Sequence, residues 1–148
     1  MLNVSTAAAP PTAEVADDGS AAMATAMTIA GAVIVGYWIV WFLAPDLVAP
    51  SRSHLYVQFE HAFPAADLVV ALALFRCSWL LRHGGARAPL WAAFVVGGGT
   101  FLFLMDVSFA LQHGLYTSGA GGLVELLVNA ATGVGSALVA RWLARTWP

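Results

Sequence analysis

The chain contains no lysine, and charged residues of any kind are scarce. Only 9% of its 148 residues are charged, whereas 60% are hydrophobic. Soluble domains carry about 25% charged residues, which cover the surface that faces water. A chain so poor in charge cannot build such a surface, so most of its exterior is predicted to face lipid. The arginines stand apart along the chain, and a net charge of −2 without a basic run argues against a nucleic-acid partner.

Cysteine is almost absent as well. A single cysteine, Cys77, excludes an internal disulfide and any metal site built from several cysteines. It lies in an apolar stretch beside Arg76 and is interpreted as a small packing residue. Metalloprotease, nucleophile-elbow and phosphate-loop motifs are also missing. The sequence therefore predicts no cofactor and no metal, and it offers no nucleophilic catalytic constellation.

The first twenty residues lack the basic region with which a signal peptide begins. They contain Glu14, Asp17 and Asp18 where such a peptide needs Lys or Arg. Proline, alanine and threonine make up much of the remainder, and this composition buries little apolar surface. A short, disordered, acidic tail is predicted over residues 1–20, and it is not interpreted as a cleaved leader.

Four long apolar stretches follow the tail. They cover residues 21–43, 62–81, 89–111 and 123–143. Each approaches or exceeds the roughly 20 apolar residues that cross a hydrocarbon core about 30 Å thick. Four such stretches joined by short loops leave no polar faces for a water-exposed exterior. The predicted fold class is all-α, with residues 21–148 forming one four-helix transmembrane bundle.

The arginines predict the orientation of this bundle. With four spans, both chain ends and the second loop lie on the same side, which carries Arg82, Arg87, Arg141 and Arg145, whereas the other side carries only Arg52. Cytoplasmic loops are enriched in Lys and Arg, so both termini are predicted to be cytoplasmic.

The other ionisable residues in or beside the spans collect near the opposite, outer end of the bundle. They are Glu60, His61, Asp67, Asp106, His113 and Glu125. Polar groups inside a membrane are costly when they face lipid, so they are expected to point into the bundle.

Helical periodicity supports this inward direction. Residues at i, i+3, i+4 and i+7 share a face of a helix. Three sets follow this spacing: Glu60, Pro64, Asp67 and Ala71 in span two; Asp106, Ala110 and His113 in span three; Glu125, Asn129, Thr132 and Ser136 in span four. The sequence therefore predicts a polar pocket in the outer half, with Tyr37, Trp38 and Trp41 of span one as its aromatic wall.

Two interpretations of this cluster remain open. In the structural one, the polar groups only hydrogen-bond between helices. In the functional one, they form a site for a ligand or ion, since intramembrane ionisable residues are functional candidates. A divalent metal is the less favoured form of such a site, and its ligands would come from His61, Asp67, Asp106, His113 and Glu125.

The segment from Phe59 to Leu68 carries the most distinctive sequence pattern in the chain. Its Phe63-Pro64 and Asp67, the preceding Pro45-Asp46 and the later Asn129 resemble the YvaD-like family of small bacterial four-helix membrane proteins. The resemblance covers residues 38–136 and implies the four-helix architecture and a bacterial plasma membrane, but no reaction. Two other groups, the EXPERA-domain and DoxX-like proteins, have the same gross shape. They match less well, because the EXPERA acidic and aromatic pattern is not recoverable and one cysteine does not support redox chemistry.

These observations favour a non-enzymatic integral membrane protein. It is predicted to bind a lipid-like or small polar ligand, or a membrane-protein partner, through the outer-half pocket. The alternative is a small membrane enzyme or a proton-coupled carrier that uses the intramembrane carboxyl groups. The lipid bilayer is the one partner that the composition itself predicts.

Overall fold

A computed structural model describes residues 17–147, and this part of the chain is all-helical. The α-helices are α1 (Asp17–Leu43), α2 (His54–Glu60), α3 (Phe63–Arg82), α4 (Ala88–His113) and α5 (Ala120–Thr146). Short 3₁₀ turns lie in the α1–α2 and α4–α5 connections, at Pro45–Leu47 and Leu115–Thr117. The predicted all-α fold class is confirmed.

Four helical segments are long and apolar enough to cross a membrane, as the sequence predicts. They are Gly19–Leu43, His54–Arg82, Ala88–His113 and Ala120–Thr146. The second contains both α2 and α3, so it begins earlier than the predicted residue 62. The predicted disordered tail lies largely outside the described residues. Its last part is corrected, because α1 already begins at Asp17 and acidic residue types are favourable at a helix N-terminus.

The helices pack in chain order, with α1 against α3, α3 against α4, and α4 against α5. Their shared core contains Met27, Leu74, Cys77, Leu102 and Val139. Large apolar side chains also cover the outside of every long helix, and examples are Val33, Leu72, Leu90, Phe101 and Leu127. An exterior as apolar as the core is favourable in contact with lipid, whereas its exposure to water would cost free energy.

Helix α2 is short, and its first turn is capped by a side chain. The Ser53 hydroxyl accepts a hydrogen bond from the Tyr56 backbone N–H at 3.2 Å, which caps the first turn. The helix ends at Glu60, and α3 starts anew at Phe63. Pro64 is tolerated there because the first turn of a helix needs no N–H donors. Glu60 and Asp67 therefore belong to different helices, but both side chains still turn inward, since Glu60 is buried and Asp67 half-buried.

The bundle has two chemically different ends. The aromatic end is where α1, α2, α4 and α5 meet, around Trp38, Trp41, Tyr56, Phe109 and Tyr116. The arginine end carries the α3–α4 connection together with Arg82, Arg87, Arg141 and Arg145. At the aromatic end, α4 ends on Gly114, whose φ of 64° lies in the left-handed region that glycine adopts without strain.

Candidate acid site

Three carboxyl groups meet inside the aromatic end, and each comes from a different helix. Glu60 lies at the end of α2, Asp106 in the last part of α4, and Glu125 in the first part of α5. Carboxyl oxygens of all three lie within 4.8 Å of one another. The Glu60 and Glu125 side chains are only 5% and 3% exposed, and Asp106 is half-buried. These three residues are called the acid cluster below.

Glu125 is held in place by neutral donors. The Tyr56 hydroxyl donates to its Oε2 at 3.3 Å, and the Asn129 amide nitrogen donates to its Oε1 at 3.3 Å. The same amide nitrogen lies 3.1 Å from the hydroxyl of Tyr116. Glu125 and Asn129 meet because residues four apart stack on one helical face. Their predicted inward direction is confirmed, since both are buried.

Tyr116 and Asn129 add two polar groups at the edge of the acid cluster. Burial raises the pKa of the Tyr116 phenol, and the carboxyl groups of Asp106 and Glu125 raise it further. The phenol thus keeps its proton and remains able to donate. Asn129 is 2% exposed, and its Oδ1 has no hydrogen-bond partner. A buried amide oxygen without a partner is costly, so this site has unused capacity to bind a donor or a cation.

No basic side chain neutralises the acid cluster within residues 19–147. The ion pair found in that part of the chain joins Arg52 to Asp46, and both side chains are largely exposed at the surface. At an effective dielectric constant of about 20, two unit charges 4.8 Å apart repel by about 3.5 kcal/mol. Three ionised carboxylates are therefore not stable alone in this position. Protons or a bound cation must compensate them.

The two predicted histidines lie outside the acid cluster. His113 is exposed, its Nδ1 lies 2.9 Å from the Phe109 carbonyl oxygen, and its ring stacks on that of Phe109. His61 is also exposed, and its ring faces Phe42 with the centroids 6.5 Å apart. The predicted face of span three holds for Asp106 and the buried Ala110, but His113 projects away from the bundle interior.

Asp67 forms a separate site beside the aromatic wall. Its Oδ2 accepts a hydrogen bond from the Trp38 indole nitrogen at 2.8 Å, which joins α3 to α1. Trp38 and Trp41 are buried, and Trp41 packs against Tyr56 with ring centroids 5.9 Å apart. Trp41 therefore borders the acid cluster through Tyr56, whereas Trp38 is paired with Asp67.

Replacing Trp38 by phenylalanine is expected to lower the free energy of unfolding by about 2 kcal/mol, because a half-buried Asp67 loses its hydrogen bond. Trp142→Phe is the matched control, since the buried Trp142 indole nitrogen has no hydrogen-bond partner. Both changes remove the same atoms from a ring. Unfolding of the purified protein in detergent, followed by circular dichroism, should rank Trp38→Phe well below Trp142→Phe. Equal stabilities would contradict the assigned role of the hydrogen bond.

Two cavities adjoin the aromatic wall, and neither is lined by the acid cluster. One is a groove of about 430 Å³ between α1 and α3, lined by apolar residues that include Ile34, Trp38 and Leu68. The other, of about 190 Å³, lies beside Arg52 and His61. The predicted pocket is thus divided. The acids form a closed polar centre, and the open groove is apolar.

The fold is that of an all-α, multi-pass membrane protein with a carboxyl centre between its helices. A scan of protein-family models and searches of curated proteins and of solved structures find no match to this chain. The resemblance to the YvaD-like family therefore stays a prediction.

Two tyrosines of the site were missed by sequence reasoning. Tyr56 and Tyr116 both lie between predicted spans, in stretches too short to show a helical periodicity. A usable signal existed for Tyr56, because Ser53 is a favourable N-cap and Tyr56 and Glu60 are spaced one helical turn apart. Tyr116 follows the helix-ending Gly114 in a turn, and nothing in its surroundings distinguishes it from an ordinary interfacial tyrosine.

Proposed function

We propose that this protein is a non-enzymatic, multi-pass protein of the bacterial plasma membrane that binds a small, positively charged ligand at the acid cluster. The observation that carries the proposal is the meeting of Glu60, Asp106 and Glu125 within 4.8 Å and without a basic partner in the described residues. Intramembrane carboxyl groups are costly and are commonly retained for function. A cation is the ligand that relieves their repulsion.

The surroundings of the acid cluster favour a small cation over a larger polar or lipid-like ligand. Tyr56, Asn129 and Tyr116 crowd the carboxyl groups, so little room remains for a bulky molecule. The groove beside Trp38 suits an acyl chain, but its lining is apolar and contributes no polar group that would orient a head group. An anionic ligand is disfavoured by charge.

The acid cluster is proposed to lie near the extracytoplasmic surface, because the arginine end is proposed to be cytoplasmic. Ser53→Cys and Ala86→Cys, each introduced into a Cys77→Ala background, are the probes. We expect a membrane-impermeant maleimide to label intact cells at position 53, whereas position 86 should react only after the membrane is opened. Labelling of position 86 alone in intact cells would show that the orientation is the opposite of the proposed one.

Native mass spectrometry of the purified protein tests ligand binding directly. We expect the wild-type protein to carry an additional mass that Glu125→Gln lacks, because glutamine removes one charge at nearly constant volume. Asp46→Asn is the control, since Asp46 is exposed and lies outside the acid cluster; it should retain the added mass. Spectra that show the same bound species for wild type and Glu125→Gln, or none for either, would refute the proposal.

A proton-coupled carrier or membrane enzyme is the second candidate. It is favoured by the same short separation of the three carboxyl groups, because groups this close share and exchange protons. Vesicles containing the protein and a trapped pH-sensitive dye provide the test. Proton flux that the wild type supports and Asp106→Asn abolishes would favour the carrier over the simple binding protein.

A further inference from the structure

We propose that the ligand of the acid cluster is a hard divalent cation of the Ca²⁺, Mg²⁺ or Mn²⁺ class. The proposed ligands are carboxyl oxygens of Glu60, Asp106 and Glu125 together with the amide oxygen of Asn129. This inference rests on the proposed function and specifies its ligand. It differs from the metal alternative considered from the sequence, whose ligand set included His61, Asp67 and His113.

The spacing of the carboxyl oxygens fits a single ion. Ca²⁺ binds oxygen at about 2.3–2.6 Å, so ligands on opposite sides of it lie about 4.6–5.2 Å apart. The three carboxyl oxygens lie within 4.8 Å of one another, inside this limit. For Mg²⁺, whose bonds to oxygen are about 2.0–2.1 Å long, the oxygens would have to lie within about 4.2 Å of one another. They also come from α2, α4 and α5, so an ion between them would join three helices that are separate in sequence.

Asn129 provides a second and independent indication. Its side chain is 2% exposed and touches the acid cluster through Nδ2, while Oδ1 has no partner. Rotating the amide by half a turn exchanges its two ends. In the ion-bound site the oxygen would then face Glu125 and the ion, in place of the amide N–H that donates to Glu125 in the empty site. The Tyr116 hydroxyl, now 3.1 Å from Nδ2, could donate to the same oxygen. An amide oxygen is a ligand that Ca²⁺ accepts readily.

The donor set and the charge select the class of ion. All four proposed ligands are oxygens, which suit Mg²⁺, Ca²⁺ and Mn²⁺ better than softer metals. Cys77 lies in the core and contacts the carbonyl oxygen of Ala88, so no thiol is available to this site. A divalent ion offsets two carboxylate charges and one proton offsets the third, so the occupied site is neutral. A monovalent ion would leave a second carboxyl group to be protonated.

The experiment uses the full chain in detergent after treatment with EDTA and exchange into metal-free buffer. Thermal unfolding is followed during titration with CaCl₂, MgCl₂ or MnCl₂, against NaCl at matched ionic strength. We expect a saturable increase in Tm with at least one divalent salt, reversal by EDTA, and about one ion per chain by elemental analysis. Asp106→Asn and Glu60→Gln should each weaken the apparent affinity at least tenfold, and Asp46→Asn should leave it unchanged.

Electron paramagnetic resonance of added Mn²⁺ gives a readout that needs no variant to fold. Immobilised Mn²⁺, displaced by Ca²⁺, is expected for the wild type. The inference is overturned if the wild type shows neither immobilised Mn²⁺ nor a divalent-specific shift in Tm, or if folded Asp106→Asn retains both. If native mass spectrometry then still detects an organic or monovalent species that Glu125→Gln loses, only this inference fails. If it detects none, the proposed function fails with it.

Discussion

Glu125→Ala is expected to lower the free energy of unfolding by about 4 kcal/mol, the largest loss that we predict for a single truncation in the bundle. The side chain accepts hydrogen bonds from Tyr56 and Asn129. Alanine removes this acceptor from both donors, so that the Asn129 amide nitrogen keeps only the Tyr116 hydroxyl, and a buried donor that loses its acceptor costs about 1–3 kcal/mol. It also leaves a cavity among α2, α4 and α5 that the surrounding helices can fill only in part.

Glu125→Gln should behave in the opposite way when the site is empty. The amide has nearly the same volume and its oxygen still accepts a hydrogen bond, while the repulsion from Glu60 and Asp106 decreases. In metal-free detergent, this variant is expected to match or exceed the wild type in Tm. Stability that holds or rises while ligand binding is lost is the signature of a functional carboxyl group, since a carboxyl group needed only for the fold would lose stability when it is neutralised.

Unfolding in detergent, measured on both variants and on Leu126→Ala, checks these expectations. Leu126 is the neighbouring residue and is exposed on the outer face, so its truncation should cost less than about 1 kcal/mol. If glutamine is as damaging as alanine at position 125, the carboxyl group serves the fold and the ligand proposal loses its basis. A loss for Glu125→Ala no larger than that for Leu126→Ala would contradict the buried network itself.

The fold was predictable because its causes are local and large. Length and apolar composition determine that four segments are long and apolar enough to cross a membrane. The helix ends follow from helix-terminating residues such as proline and glycine. Helix α1 ends at Leu43, just before Pro45, and α4 ends just before Gly114, both close to the predicted positions. The predicted start of span one at residue 21 is later than the observed start of α1 at Asp17, because acidic residues are typical both of a polar tail and of a helix N-terminus.

The candidate site was predictable only where helical periodicity acts within one uninterrupted helix. Glu125 and Asn129 share a face of α5, and that face is buried. The direction of Glu60 depends instead on the turn at 61–62 between α2 and α3, whose geometry no periodicity encodes. His61 and His113 lie at helix ends, where a side chain can reach solvent. The His113 ring also lies within hydrogen-bond distance of the Phe109 carbonyl oxygen, so it does not need a partner in the bundle interior.

The contact between α5 and the α4–α5 turn supplies a second large prediction. A Cβ added at Gly122 would lie 2.9 Å from the Tyr116 carbonyl oxygen and closer still to that of Leu115. Both are backbone atoms, which cannot move aside as a flexible side chain would. Gly122→Ala is therefore expected to lower the free energy of unfolding by about 3 kcal/mol through overpacking.

This substitution should also affect the acid cluster. The backbone that must move belongs to Leu115 and Tyr116, and the Tyr116 side chain contacts Asn129. Gly135→Ala on the same helix is the control. Nothing lies within 4 Å of a Cβ at Gly135, and alanine favours a helix over glycine by about 1 kcal/mol. We expect Gly135→Ala to hold or raise Tm, and Gly122→Ala to lower both Tm and the affinity for the proposed cation. A Gly122→Ala protein as stable as Gly135→Ala would mean that the turn does not rest on α5, and Tyr116 would then have no fixed place beside the carboxyl groups.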